Sequence, residues 1–161
     1  MLVLLCGTSF SGKSTVAREL ARRLPARVVS LDEINERRGL WGGDGIPIEE
    51  WARTHQVAQA EVLELLSAGD TVVVDDTSSP RFLRDGWRAL AVGAGVEFRL
   101  VYVEANEATV RARRHHNRLS PHRRDVTDTV LDHHLSNFEP PEPDEGALSP
   151  DQLLPHVPKN G

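Results

Sequence analysis

Lysine is nearly absent from this chain of 161 residues: Lys13 and Lys159 are the two lysines among 19 basic residues. Cysteine is rarer still, with Cys6 alone, so an internal disulfide is excluded and a reducing compartment is expected. No apolar stretch approaches the roughly 20 residues of a membrane span. The N-terminal apolar run, Leu2–Cys6, has five residues and no basic leader, so it reads as a core strand rather than a signal peptide. These absences together point to a cytoplasmic protein. Net charge is −5 with a pI near 5.8, which argues against a protein built to coat nucleic acid. The length suffices for one domain with a real core.

One segment carries most of the information. Gly7-Thr8-Ser9-Phe10-Ser11-Gly12-Lys13-Ser14 has the spacing G-x-x-x-x-G-K-S, followed by Thr15. The apolar run before it reads as a buried strand, and Thr15 to Leu24 has helical periodicity. Strand, glycine loop and helix form the unit that holds a nucleoside triphosphate. Glycines let the backbone wrap phosphate oxygens with N–H groups turned inward, and the helix N-terminus adds its positive dipole end. In that unit Lys13 bridges the β- and γ-phosphates and the Ser14 hydroxyl ligates Mg²⁺. ATP and Mg²⁺ are therefore the expected cofactors.

Alternation of short apolar runs with helical patterns predicts an α/β fold, with a parallel sheet and helices on both faces. Strands are expected at Leu2–Cys6, Arg27–Leu31, Thr71–Val74 and Val96–Val103. Helices are expected at Lys13–Leu24, Ile48–Ala68, Pro80–Val92, from Asn106 as N-cap to about Arg118, and Val126–Phe138. Residues 1–138 form the expected nucleotide-binding domain. From Glu139 the chain holds six of its ten prolines among acidic residues, so 139–161 is expected to be an extended or partly disordered tail. No fifth strand stands out. The phosphate loop, Asp32 and Asp75-Asp76 each follow a strand directly, which brings them to one edge of the sheet.

The chemistry can then be narrowed. The Asn-Lys-x-Asp guanine reader is missing, which disfavours a GTP switch, and motor ATPases are generally larger. A kinase needs a base near the acceptor hydroxyl and cations around the transferring phosphoryl group. Asp32, at the end of the second strand, suits the base; the plainer alternative is a cap for a helix beginning at Glu33. Of Asp75 and Asp76, one is expected to hold a water on Mg²⁺ opposite Ser14, and the other to contact substrate; the alternative is turn chemistry in D-D-T-S-S-P. We assign Asp75 to the metal and Asp76 to the substrate. Six arginines lie between Arg111 and Arg124. A guanidinium that swings in on closure favours the charge-rich transition state, so a lid at about 111–126 is expected, with Arg118 reaching the γ-phosphoryl group and Arg114 serving the nucleotide. The alternative is a solvated basic helix face. The pairs His115-His116 and His133-His134 lack the geometry and the cysteine partners of a zinc site.

These residues carry a resemblance. G-T-S-F-S-G-K-S-T, L-D-E at 31–33, D-D-T at 75–77 and R-A-R-R-H-H-N-R at 111–118 resemble the small P-loop kinases, over about residues 2–138. That group includes the kinase domain of phage polynucleotide kinase, chloramphenicol phosphotransferase, zeta toxin and phosphoseryl-tRNA kinase. The resemblance implies a nucleoside-monophosphate-kinase-like three-layer sandwich, Asp32 as base and a mobile lid. It matches Asp76 to the strand-3 aspartate before Thr and Arg118 to the lid arginine. It also places Trp41, Gly42–Gly45 and Trp51 on the acceptor side, with core packing the equal alternative for Trp51. The expected function is ATP-dependent phosphoryl transfer to a hydroxyl of a small molecule such as an antibiotic, an amino acid or a nucleoside-like metabolite. The alternatives are a 5′-hydroxyl polynucleotide or tRNA-directed kinase and a non-catalytic ATP-binding regulatory module. A monomer or weak dimer is expected, with no membrane partner.

Overall fold

The computed structural model describes residues 1–40, 46–119 and 127–153. Trp41 and Gly42–Gly45, together with Arg123 and Arg124 of the expected lid, lie outside the described residues. Four parallel strands, β1 (Leu2–Cys6), β2 (Arg27–Ser30), β3 (Val72–Asp75) and β4 (Phe98–Tyr102), stand in the order β2-β3-β1-β4. β1 is central, and all five of its residues are buried. A strand covered on both faces must be apolar throughout, which explains the unbroken run L-V-L-L-C.

Alternate residues of β1 serve opposite faces of the sheet. Leu2, Leu4 and Cys6 join a core with Leu31 and Ile34 of α2 (Leu31–Arg37), Ala58, Val62 and Leu66 of α3 (Ile48–Ser67), and Trp87 and Ala91 of α4 (Arg81–Gly93). Val3 and Leu5 join Ala17 and Leu20 of α1 (Lys13–Arg23) on the other face, with Leu153 of α7 (Pro150–Leu153). The result is the expected three layers. Two more helices, α5 (Glu107–Leu119) and α6 (Asp128–Asn137), follow β4 and share a small core of Phe10, Val110 and Leu131. Among the described residues no helix is long and apolar enough to cross a membrane.

The chain leaves β1 toward β2 and β3 on one side and later crosses to β4 on the other. The carboxyl end of β1 is thus where the strand order reverses, the usual ligand position in such sheets. Two local readings of the sequence change. The second strand stops at Ser30, and the helix after it begins at Leu31 rather than Glu33. Ser30 supplies the cap, its Oγ accepting from the Glu33 N–H at 3.3 Å.

Residues 139–153 lie against the domain. After Phe138 the chain turns through a short 3-10 segment, Pro143–Glu145, and Glu145 is buried. Leu148 then forms a parallel bridge to Val101, with the Tyr102 N–H donating to Leu148 O and the Leu148 N–H to Leu100 O. One bridged residue stands where a fifth strand would lie. The prolines limit the ladder because each removes a donor.

Candidate active site

The phosphate loop is assembled by close approach and unusual backbone. Gly12 has φ +105°, and Phe10 has φ 61°. A Cβ on Gly7 would lie 2.6 Å from Val103 O and 2.8 Å from Ser11 Oγ, so no side chain fits there. Gly12 caps α1 without a side chain, leaving the first helical N–H groups facing the loop. Lys13 is 8% exposed, and its Nζ donates to Gly7 O at 2.9 Å and Thr8 O at 2.8 Å. Thr8 Oγ1 and Ser11 Oγ are buried without hydrogen-bond partners.

Asp75 lies at the end of β3, one strand from the loop. Burial pushes its carboxyl above the usual carboxylate range. The nearby Ser14 hydroxyl and the Lys13 charge oppose that rise, while Asp32 and Asp76 add to it. Ser14, Lys13, Asp75 and Asp32 therefore sit within one electrostatic neighbourhood. Asp32 itself is an exposed residue in the first turn of α2.

Asp76 takes part in a second cluster as well. Its Oδ2 accepts from Ser78 N at 3.0 Å and Ser78 Oγ at 2.7 Å, which supports the positive φ of Ser78. His55 Nε2 of α3 is 4.0 Å from the same oxygen, and its ring lies 6.3 Å from that of Trp87. Beneath this turn Arg84 donates to Ser78 O at 3.0 Å, to Ser79 O and to Glu139 O at 2.9 Å. Cys6 Sγ donates to Ser78 O at 3.5 Å; burial pushes its thiol up to about 12, so it is inert packing under the loop.

The arginine helix divides its residues among three tasks. Arg114 is 4% exposed and pairs with Asp128 of α6, while Arg118 Nη2 lies 3.7 Å from the same carboxylate. Arg113 reaches the phosphate loop, donating to Phe10 O at 3.2 Å and Ser11 O at 2.5 Å. Arg111 ties α5 to α6 through Asp132 at 2.7 Å. From α6, His134 Nδ1 comes within 3.4 Å of Ser9 Oγ. Reading the sequence assigned no role to Arg113, His55 or His134. The arginine cluster and the histidine pair were visible, but nothing in their spacing said which member turns toward the loop.

The loop fits a Mg²⁺-nucleotide. Orphaned hydroxyls line it, Gly7 leaves no room for a side chain, and Ser14 and Asp75 are the hard oxygen donors Mg²⁺ prefers. A family profile described as an AAA domain, AAA_33, matches residues 2–141. The chain belongs to this P-loop family.

Solved structures agree on the fold. A gluconokinase from Sinorhizobium meliloti 1021 superposes with a TM-score of 0.63 at 21% identity, covering 91% of this chain and 79% of that one. The APS kinase CysC of Mycobacterium tuberculosis, in complex with AMPPNP and APS, gives a TM-score of 0.66 at 22% identity, covering 93% of this chain and 88% of that one. A chain of the Pnkp1/Rnl/Hen1 RNA repair complex gives 0.68 at 21% identity, covering 84% of this chain and 43% of that one. At such identities the likeness concerns the fold, which is that of the small P-loop kinases. No curated protein matches this chain.

Proposed function

We propose that this protein is an ATP- and Mg²⁺-dependent kinase that transfers the γ-phosphoryl group to a hydroxyl of a small molecule. The observation that carries the reading is the phosphate loop, with Lys13 buried against its carbonyls and the Thr8 and Ser11 hydroxyls orphaned, beside Asp75 at the end of β3. Ser14 would hold Mg²⁺ directly and Asp75 would hold it through a water. When bound, Mg²⁺ neutralises charge that develops on the β- and γ-oxygens. Lys13, released from the loop carbonyls, bridges the same phosphates. Asp32 accepts the proton of the acceptor hydroxyl as that oxygen attacks the γ-phosphorus. Asp76 and His55 line the acceptor side, where their paired polarity suits a hydroxyl-rich compound. Arg118, at the exposed end of α5, would supply the lid guanidinium, and Arg114 would steady the nucleotide side of that helix.

The test is a screen of sugars, amino acids, nucleosides, aminoglycoside- and phenicol-type antibiotics and RNA 5′ ends for transfer from labelled ATP. We expect a small acceptor whose KM changes little with salt. The second reading, a polynucleotide kinase, rests on the fold shared with the RNA repair complex. It predicts a steep loss of affinity with salt as counterions are released. Labelling of RNA or DNA ends alone would establish that reading in place of ours.

A further inference from the structure

His134 is outside the machinery described so far, yet it is aimed into it. Helix α6 docks on the phosphate loop through Leu131, which is fully buried against Phe10 and Val110. One turn further along the same face, the His134 ring meets Ser9, with Nδ1 3.4 Å from Oγ. Ser9 is 8% exposed and belongs to the glycine loop. The imidazole therefore stands at the loop's mouth rather than on the outer surface of α6. Its neighbour His133 turns away, the two rings lying 6.4 Å apart and tilted by 58°.

We propose that His134 is a ligand of the terminal phosphate, an imidazolium that donates to a γ-phosphoryl oxygen when ATP occupies the loop. The inference rests on the kinase reading above. The titratable groups that act on the ring come from three elements: Lys13 of α1, Asp32 of α2 and, turned aside on its own helix, His133 of α6. Burial holds His134 below its ordinary value of 6.5; His133 and Lys13 act in the same direction and Asp32 opposes them. The ring is then neutral near pH 7 and shares one hydrogen bond with Ser9. A polyphosphate reverses the local field, because several negative charges replace an empty, positively biased loop. The ring takes one proton from the solvent and gains a second N–H donor. Nδ1 can then keep Ser9 as its acceptor while Nε2 donates to phosphate. A lysine-poor protein thereby gains a cation that exists only while the triphosphate is present, which favours the loaded state without charging the empty one.

The experiment is calorimetric titration with Mg²⁺ and a non-hydrolysable ATP analogue at about pH 7, in two buffers of different ionisation enthalpy. The wild-type protein should take up protons on binding, and less with ADP, which lacks the γ-phosphate. His134→Gln keeps a hydrogen-bond partner for Ser9 but cannot ionise. It should bind the analogue about ten-fold or more weakly, with that uptake gone. In parallel, the His134 ring carbon resonance of the wild-type protein, which needs no variant, should titrate at higher pH with analogue than without. Analogue binding with no proton uptake, equal uptake with ADP, an unshifted ring titration or uptake retained in His134→Gln would each overturn the inference while leaving the kinase reading intact. A wild-type protein that binds no analogue would instead remove the kinase reading and this inference with it.

Discussion

Arg84 and Glu145 meet in a bidentate ion pair, Nε to Oε2 and Nη2 to Oε1 both 2.7 Å, with each side chain 1% exposed. The same guanidinium bonds three carbonyls, so one side chain joins α4, the turn behind Asp76 and the segment after α6. Removing one partner leaves a buried charge without its counterion. Glu145→Gln should therefore destabilise the protein by about 3–5 kcal/mol in denaturant unfolding. The pH dependence has a definite sign. Arg84 holds the Glu145 carboxyl below its ordinary value of 4.5. Its stabilisation is complete above that value and is lost as pH falls through the lower folded one. The variant should show a flatter acid limb. An unchanged midpoint at neutral pH would show that Arg84 finds full compensation elsewhere.

Asp32→Asn separates the base from the cap. Ser30 already caps α2, so the substitution leaves the helix start intact. Turnover should fall about 10²-fold or more while ATP affinity is kept. Wild-type turnover in the variant would restrict Asp32 to a favourable charge in the first helical turn.

Asp75 gives a pH-dependent metal affinity. Its carboxyl is raised above the usual range, so protons compete with Mg²⁺ for it at higher pH than for an ordinary aspartate. Mg²⁺ affinity in the presence of ATP should decline as pH falls toward that raised value, and Asp75→Asn should weaken the affinity and remove this pH dependence. A Mg²⁺ titration whose midpoint ignores pH, in the wild-type protein, would place the metal elsewhere.

Arg114 and Arg118 should behave differently despite sharing Asp128. Arg114 is buried, and Arg114→Ala should lower the melting temperature as well as activity. Arg118 is half-exposed, its side chain 44% accessible, so Arg118→Ala should keep stability within about 0.5 kcal/mol. It should lower kcat far more than it raises the ATP dissociation constant. Hydrogen exchange across α5, with and without an ATP analogue, reports closure. Unchanged protection together with a fully active Arg118→Ala would leave these arginines as helix-to-helix ties.

The parts of the site that were legible in the sequence are those held by local backbone rules. Gly7 and Gly12 are demanded by close approach and positive φ, and β1 by burial on both faces, so loop, strand and helix declared themselves together. Asn106 likewise read as a cap, and its Oδ1 accepts from Thr109 N at 2.8 Å. The cap alternative for Asp32 overlooked one rule: Ser30 is the cap and draws the helix start back to Leu31. Arg113, His134 and His55 escaped because side-chain direction from one helix to another element depends on docking. Leu131 against Phe10 decides it for His134, and no sequence period encodes that contact. The segment from Glu139 reads as extended or partly disordered chain because its prolines and acids dominate. Its anchors are single residues, Glu145 and Leu148, too few to make a pattern.

Those anchors set where a minimal fragment can end. The family match stops at residue 141, whereas among the described residues the hydrophobic core extends to Leu153. A polypeptide cut at Pro141 would keep every residue of the phosphate loop. It would also strand the Arg84 guanidinium without its carboxylate and leave the backbone edge of β4 open beside Val101. Such a piece would bear an adhesive border and a trapped charge, so it would aggregate for reasons unrelated to its chemistry. For this protein, expression limits drawn from shared family length would be misleading, and limits drawn from the position of Glu145 and Leu153 would not.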